Sequence, residues 1–166
     1  MNDITAAAIE LVNLCIARKL TIATAESCTG GLVAGAITEV PGSSAVLDRG
    51  FVTYSNDAKQ QMLGVSAETL RDYGAVSRQT AEAMAQGALA KAKTDLAVSI
   101  TGIAGPGGGS TDKPVGLVHF GAATRSGTTM HVRKIFRGDN GDLSRAEIRH
   151  KSVLQALAML KELAEP

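Results

Sequence analysis

Residues 96–100, Leu-Ala-Val-Ser-Ile, form an almost continuous apolar run that constrains the fold more than any other segment. The run shows no alternation of apolar and polar side chains, which is the pattern of a strand covered on both faces. Strands of this kind lie centrally in sheets that carry helices on each side. The sequence therefore predicts an α/β protein in which this strand is central.

Helical and strand patterns alternate along the rest of the chain, and they indicate one domain over residues 1–166. The predicted helices begin near residues 4, 32, 56, 67, 78 and 145, and the other predicted strands cover 20–25, 46–54, 115–123 and 128–136. The last two strands are joined by so short a connection that they must form an antiparallel hairpin. We predict a three-layer α/β/α sandwich on a mixed sheet of about five strands.

Composition favours a small-molecule ligand. Seventeen basic and sixteen acidic side chains leave a formal charge of +1 without any basic block, so no nucleic-acid partner is expected. We expect no contact with a membrane, because no apolar run approaches the length of a membrane span and the first residues lack a basic signal region. Cys15 and Cys28 are predicted to be reduced thiols, and we expect a cytoplasmic protein without a metal or other cofactor.

The carboxyl ends of the parallel strands are the expected ligand site, because ligands of such sheets bind outside these ends. Three features fall there: the turn at Ser27, the segment 54–59 and the loop after Thr101. Topology predicts that the three converge.

Ser27 lies between a strand and a helix, so its hydroxyl can project at the sheet edge beside backbone N–H groups. This arrangement suits a nucleophile with an adjacent oxyanion site, and Gly30 and Gly31 would let a ligand approach the backbone closely. The segment does not match G-x-S-x-G, and the three histidines stand singly, so the base would not be an imidazole. The alternative is that Ser27 only caps the following helix.

Lys59 lies within or just after the first turn of the helix that follows Ser55. The positive end of the helix dipole disfavours an ammonium there, which predicts a lowered pKa. A partly desolvated lysine of this kind can activate a serine. Tyr54 ends the preceding strand and could relay a proton or orient Lys59. The alternatives are a solvated lysine whose field is offset by Asp57, and a tyrosine that only packs.

The segment 102–114 is rich in glycine and is predicted to be a loop. It lacks the G-x-x-x-x-G-K-[ST] motif and leads through Pro114 into a strand, so it matches neither common nucleotide-binding motif. A mobile lid and an ordinary connection both remain open. Arg145 begins the last helix, where it is a candidate clamp for phosphate or carboxylate or a solvated arginine.

An ordered series of motifs runs over nearly the whole chain. It comprises Ala-Glu-Ser-Cys-Thr-Gly-Gly at 25–31, Gly-Phe-Val-Thr-Tyr-Ser-Asn-Asp-Ala-Lys at 50–59, Gly-Ala-Val-Ser at 74–77, Ser-Ile-Thr-Gly-Ile-Ala-Gly-Pro at 99–106 and Lys-Pro-Val-Gly at 113–116. This series resembles the CinA C-terminal domain family, whose members include nicotinamide-nucleotide amidohydrolases and competence- or damage-inducible proteins.

The resemblance implies hydrolysis of nicotinamide mononucleotide to nicotinate mononucleotide and ammonia, a step in pyridine-nucleotide salvage. It implies Ser27 as nucleophile, Lys59 as base and Tyr54 as their partner. The implied substrate-binding residues are Glu26, Thr29, Gly30, Gly31, Thr101, Gly102, Gly105 and Arg145. Family members are usually oligomeric, which implies a homo-oligomer, with a dimer favoured. Many carry a second, N-terminal domain linked to ADP-ribose pyrophosphatase activity, and we expect neither in this chain.

The chain departs from the family before its last helix. Many members read Gly-Asp-Arg there, whereas this chain reads Gly-Asp-Asn-Gly-Asp-Leu-Ser at 138–144 before Arg145. Aligning Arg145 with the start of the family's helix makes this a three-residue insertion and leaves Arg145 as the equivalent arginine.

The predicted mechanism has neutral Lys59 take the proton of Ser27, which attacks the carboxamide carbon to form an acyl-enzyme that water hydrolyses. Backbone N–H groups near Ser27 and Gly102 would bind the oxyanion. The substrate phosphate would rest on the helix beginning near Thr29 or on Arg145. Two other functions remain open: a non-catalytic nucleotide-binding, competence-associated protein, and an amidase for another nucleotide-like amide.

Overall fold

The computed structural model describes residues 1–166, with six α-helices and seven strands. The elements in chain order are α1 (Asp3–Arg18), β1 (Ile22–Glu26), α2 (Leu32–Thr38), β2 (Leu47–Val52), α3 (Asn56–Leu63), α4 (Ala67–Tyr73), α5 (Arg78–Ala92), β3 (Leu96–Gly102), β4 (Leu117–Thr124), β5 (Thr129–Ile135), β6 (Arg137–Gly138), β7 (Gly141–Asp142) and α6 (Arg145–Ala164).

Five strands form the main sheet in the order β2-β1-β3-β4-β5. Strands β1, β2 and β3 are parallel, whereas β3, β4 and β5 pair in antiparallel fashion. The predicted mixed sheet, its central strand and its closing hairpin are therefore confirmed.

Helices cover both faces of the sheet, which confirms the three-layer α/β/α sandwich. Helices α1, α2 and α6 pack together on one face, and α5 packs on the other with α3 and α4 against it. The side chains of the apolar run in β3 are larger on one face of the sheet than on the other. Val98 and Ile100 belong to the larger apolar cluster, under α6, and Ala97 belongs to the smaller apolar cluster, under α5. Small side chains let α5 approach the sheet closely.

Local sequence signals define most of the helix ends. Asn2, Ser55, Ser66 and Ser77 each accept a hydrogen bond from a backbone N–H three residues on. Ser144 and Glu147 form the predicted capping box at the start of α6. No helix is both long enough and apolar enough to cross a membrane.

The bounds of the strands differ from the predicted ones by up to two residues, and one pair of strands was not predicted. Strand β2 ends at Val52 rather than at residue 54, because the carbonyls of Thr53 and Tyr54 turn towards Lys59 instead of a neighbouring strand. The pair β6 and β7 was not predicted. It holds the inserted residues in a small hairpin just before α6, where two-residue strands are too short to show a periodic pattern.

Candidate active site

The ends of the three parallel strands bring the predicted catalytic residues to one edge of the sheet. Ser27 directly follows β1, and its N–H donates to the carbonyl of Ile100 in β3 at 2.9 Å. Lys59 lies in the first turns of α3, whose start is capped by Ser55. The Nζ atom of Lys59 lies 3.0 Å from Ser27 Oγ. The chain thus joins two residues 32 positions apart in a direct hydrogen bond.

Lys59 is almost completely buried, with 1% of its surface exposed. Its Nζ also donates to the carbonyl of Thr53 at 3.0 Å and to the carbonyl of Tyr54 at 3.2 Å. None of the ion pairs in the protein includes Lys59. Burial away from water disfavours the ammonium, so the pKa of Lys59 is lowered. The predicted direction of the shift agrees with the structure, but its main cause is desolvation.

Tyr54 contributes to this cluster through its backbone and not through its phenol. Its side chain is 61% exposed, and its hydroxyl lies 2.9 Å from Nη2 of Arg145. The phenol therefore makes no hydrogen bond to Lys59, whereas the Tyr54 carbonyl does, and the role of Tyr54 as partner of Ser27 and Lys59 stays a prediction. Because the chain turns after β2, the Tyr54 carbonyl faces Lys59 while the ring faces outward.

A cavity of about 280 Å³ opens over Ser27 and Lys59. Its lining residues are Ser27, Cys28, Tyr54, Asn56, Lys59, Ala75, Val76, Thr101, Gly102, Ile103, Ala104, Gly105, Gly107, Gly108 and Arg145. The glycine-rich segment after β3 forms one wall. The volume is just below the usual range for small-molecule pockets, about 300 to 1,000 Å³.

Four of the predicted substrate-binding residues line this cavity: Thr101, Gly102, Gly105 and Arg145. The Thr101 hydroxyl donates to the carbonyl of Ala75 at 2.8 Å and so joins two walls of the cavity. Arg145 Nη1 donates to the carbonyl of Gly105 at 2.8 Å. A Cβ at Gly102 would lie 2.7 Å from a methyl group of Val118, which leaves room only for glycine.

The other four predicted residues, Glu26, Thr29, Gly30 and Gly31, lie outside the cavity lining. The Glu26 carboxylate is buried and accepts from the Thr29 hydroxyl at 2.7 Å. It also accepts from the N–H groups of Gly31, Val33 and Ala34 at the start of α2. The prediction that this helix start holds the substrate phosphate is therefore wrong, because an internal carboxylate already occupies it.

Sequence reasoning gave no role to several lining residues, among them Asn56, Ala75 and Val76. Ala75 and Val76 fall within the motif at 74–77, and their place in that motif was the available signal. Cys28 also lines the cavity, but burial raises the pKa of its thiol to about 12. A thiol held in that form is a poor nucleophile, so Ser27 stays the predicted nucleophile beside Lys59.

Two histidines form a separate cluster outside the cavity. His119 Nδ1 lies 2.8 Å from His131 Nε2 across β4 and β5. Burial, with the neighbouring charges of His131, Arg133 and Lys113, lowers the pKa of His119 to about 4. Neither ring hydrogen-bonds to Ser27, whose hydroxyl instead contacts the amine of Lys59.

Comparison with known proteins places the chain in a family. The sequence model of the CinA C-terminal domain matches residues 4–164. The chain belongs to the CinA C-terminal domain family. This CinA domain also resembles the crystal structure of the competence/damage inducible protein CihA from Agrobacterium tumefaciens, with a TM-score of 0.95 and 53% identity. The match covers 99% of this chain and 98% of that one.

Relatives of this CinA domain have two kinds of name. The nicotinamide-nucleotide amidohydrolase PncC of Escherichia coli strain K12 is 54% identical over 144 residues, which cover 87% of this chain and 84% of that protein. Competence-damage inducible proteins of Caldicellulosiruptor bescii and Caldanaerobacter subterraneus are each 50% identical over 89% and 93% of this chain. The chain spans about a third of their length, 35% and 36% respectively.

Proposed function

We propose that this protein hydrolyses the carboxamide of nicotinamide mononucleotide to nicotinate mononucleotide and ammonia. The observation that carries the proposal is the buried hydrogen bond of 3.0 Å between Lys59 Nζ and Ser27 Oγ at the floor of a cavity. A pure binding site has no need of a serine paired with a desolvated amine. Similarity to proteins named nicotinamide-nucleotide amidohydrolase supports the choice of amide.

The three oxygen neighbours of Lys59 Nζ suit a base. A neutral amine has two N–H bonds and one lone pair. The carbonyls of Thr53 and Tyr54 accept hydrogen bonds from those two N–H groups, so the lone pair is directed at the Ser27 hydroxyl. The same two carbonyls then stabilise the ammonium that forms on proton transfer. Burial keeps the resting amine neutral in a larger fraction of molecules than in an exposed lysine.

The proposed reaction has two halves. In the first, Lys59 takes the Ser27 proton while Oγ forms a bond to the carboxamide carbon. Lys59 then returns that proton to the departing nitrogen, so that the C–N bond breaks and ammonia leaves an acyl ester on Ser27. In the second, Lys59 takes a proton from water while the hydroxide attacks the ester, and Lys59 then returns that proton to Ser27 Oγ as the carboxylic acid leaves and ionises to the carboxylate.

Charges on the substrate have candidate partners in the cavity. Arg145 is the arginine in the lining of the cavity. Two of its five N–H donors bind the Gly105 carbonyl and the Tyr54 hydroxyl. We assign the substrate phosphate to this guanidinium. Gly102 lines the wall beside Ser27 and stays a predicted donor to the oxyanion.

A cytoplasmic homodimer is part of the proposal. The free cysteines Cys15 and Cys28 are consistent with a reducing compartment. Strand β2 forms an edge of the sheet, and Val52 at its end and Leu32 at the start of α2 are 47% and 43% exposed. An unpaired strand edge next to exposed apolar side chains favours association of two copies. Sedimentation analysis measures this state directly.

Ammonia release from nicotinamide mononucleotide tests the proposed function. We expect activity in the wild-type protein, loss of at least about a thousandfold in kcat for Ser27→Ala and Lys59→Met, and no change for Lys91→Met, which removes an exposed lysine. Calorimetric binding without ammonia release would instead indicate a non-catalytic nucleotide-binding protein. Activity on another amide in a substrate panel, with none on this nucleotide, would refute the proposed substrate but keep the mechanism.

A further inference from the structure

Arg149 is a charged residue near the site to which the mechanism assigns no task. It lies in the second turn of α6, and its Nε donates to the carbonyl of Cys28 at 3.0 Å. Its Nη2 lies 3.4 Å from the carbonyl of Thr29. Arg149 takes part in no ion pair, so its hydrogen bonds within the protein go to the turn that follows Ser27.

Arg149 holds the Cys28–Thr29 peptide, and a hydrogen bond within the turn holds the Ser27–Cys28 peptide before it. A trans peptide is planar, and its C=O and N–H bonds point in opposite directions. Because Arg149 holds the Cys28 carbonyl towards α6, the N–H of Thr29 points away from α6. The Ser27 carbonyl accepts from the N–H of Gly30 at 3.0 Å, which likewise turns the N–H of Cys28 to the opposite side.

Neither of these two N–H groups donates to an acceptor elsewhere in the protein. The N–H of Ser27 itself is bound to Ile100, and those of Gly31, Val33 and Ala34 are bound to Glu26. The turn therefore leaves the N–H of Cys28, a residue of the cavity lining, as an unpaired donor directly after the residue whose Oγ contacts Lys59, whereas Thr29 is fully buried outside the lining. Glu26 and Arg149 hold this turn from opposite ends.

We propose that the N–H of Cys28 joins the predicted Gly102 donor in the oxyanion site, and that Arg149 is the positioning residue that keeps the turn around Cys28 in place by holding the carbonyl of that residue. This proposal rests on the proposed amide hydrolysis. Arg149 does not line the cavity over Ser27 and acts through the turn.

The test compares Arg149→Met and Arg149→Lys with Lys151→Met, a matched control that removes an exposed positive charge from the same helix. Removal of one oxyanion donor lowers kcat by about 100- to 1,000-fold, so loss of its alignment should lower kcat at least about tenfold. KM should change little, because the oxyanion exists only in the transition state. Arg149→Lys should be intermediate, since an ammonium can hold one carbonyl.

Chemical rescue separates positioning from a general loss of structure. Adding millimolar methylguanidinium to Arg149→Ala should restore part of kcat, and the same addition should not affect Lys151→Met. Circular dichroism and the thermal midpoint of each variant establish that it is folded. If Arg149→Met does not fold, the kcat of Arg149→Lys and the rescue decide the question.

The outcomes distinguish this proposal from the function on which it rests. A wild-type protein that releases no ammonia overturns the proposed function. An active wild type whose folded Arg149 variants keep their kcat overturns the positioning role alone. A rise in KM at unchanged kcat would also overturn it, because Arg149 would then bind substrate in its ground state.

Discussion

Lys59 places an amine in a position where 1% of its surface meets water, although an ammonium is among the most strongly hydrated groups in a protein. Desolvation lowers its pKa below the ordinary lysine value of 10.5. Below the pKa that Lys59 has in the folded protein, Lys59 is protonated in both the folded and the unfolded state. The full free-energy cost of burying the ammonium then opposes folding. Between the folded pKa and 10.5 the unfolded state binds more protons, so raising the pH favours folding through this group.

Substitution of this residue should therefore change how stability depends on pH. We expect the stability of Lys59→Met, relative to wild type, to be more favourable at about pH 7 than at about pH 10, because the cost that the substitution removes disappears as the pH rises from the lowered pKa towards 10.5. Urea denaturation at about pH 7 and about pH 10 measures the difference in free energy of unfolding. Lys91→Met is the control, and a Lys59→Met difference that stays constant with pH would contradict the prediction.

At the scale of the element, α2 shows how a short helix can be anchored by a residue outside it. The Glu26 carboxylate at the end of β1 accepts from three N–H groups at the start of α2 and from the Thr29 hydroxyl. Gly31, at the N-cap position, supplies no side-chain cap. The carboxylate thus satisfies the first donors of the helix and lies at the positive end of its dipole.

Replacing this carboxylate with an amide should destabilise the protein. Glu26→Gln turns an NH2 group towards some of these N–H donors and leaves them without acceptors, which should cost about 1 to 3 kcal/mol of unfolding free energy. Glu39→Gln removes an exposed carboxylate at the other end of α2 and should change stability by less than about 0.5 kcal/mol. Equal effects of the two substitutions would show that Glu26 does not anchor the helix. Chemical denaturation at neutral pH provides the measurement.

Across the whole molecule, glycines allow helix α5 to pack against its neighbours with the backbones in direct contact. A Cβ at Gly121 in β4 would lie 2.5 Å from the carbonyl of Ala81 in α5. A Cβ at Gly87 in α5 would lie 2.0 Å from the carbonyl of Leu63 at the end of α3. Helix α5 therefore contacts both the sheet and its neighbouring helix through backbone atoms, which have no freedom to move aside.

Two helical glycines should consequently respond to alanine with opposite sign. Gly35→Ala in α2 meets nothing within 4 Å and should stabilise the protein by about 0.5 to 1 kcal/mol, since alanine favours the helix. Gly87→Ala should destabilise it by about 1 to 3 kcal/mol, because α5 must move away from α3. The thermal midpoints of the two variants report the signs, and stabilisation by Gly87→Ala would contradict the close packing.

Features that depend on local patterns could be predicted from the sequence. The apolar run at 96–100 identified the central strand, and Ser144 with Glu147 identified the start of α6. Periodicity and capping depend on residues a few positions apart, and these neighbours keep their relation in any fold. For the same reason the strand order of the hairpin followed from its short connection.

Contacts between distant segments required the tertiary structure. The sequence pointed to Ser27 and Lys59 but did not show that their side chains lie 3.0 Å apart, nor that burial sets the pKa of the amine. Glu26 turned inward to α2 and the Tyr54 phenol turned outward to Arg145, contrary to expectation. The direction of a side chain at a strand end depends on which groups from other elements compete for it, and only packing of the whole chain brings those groups together.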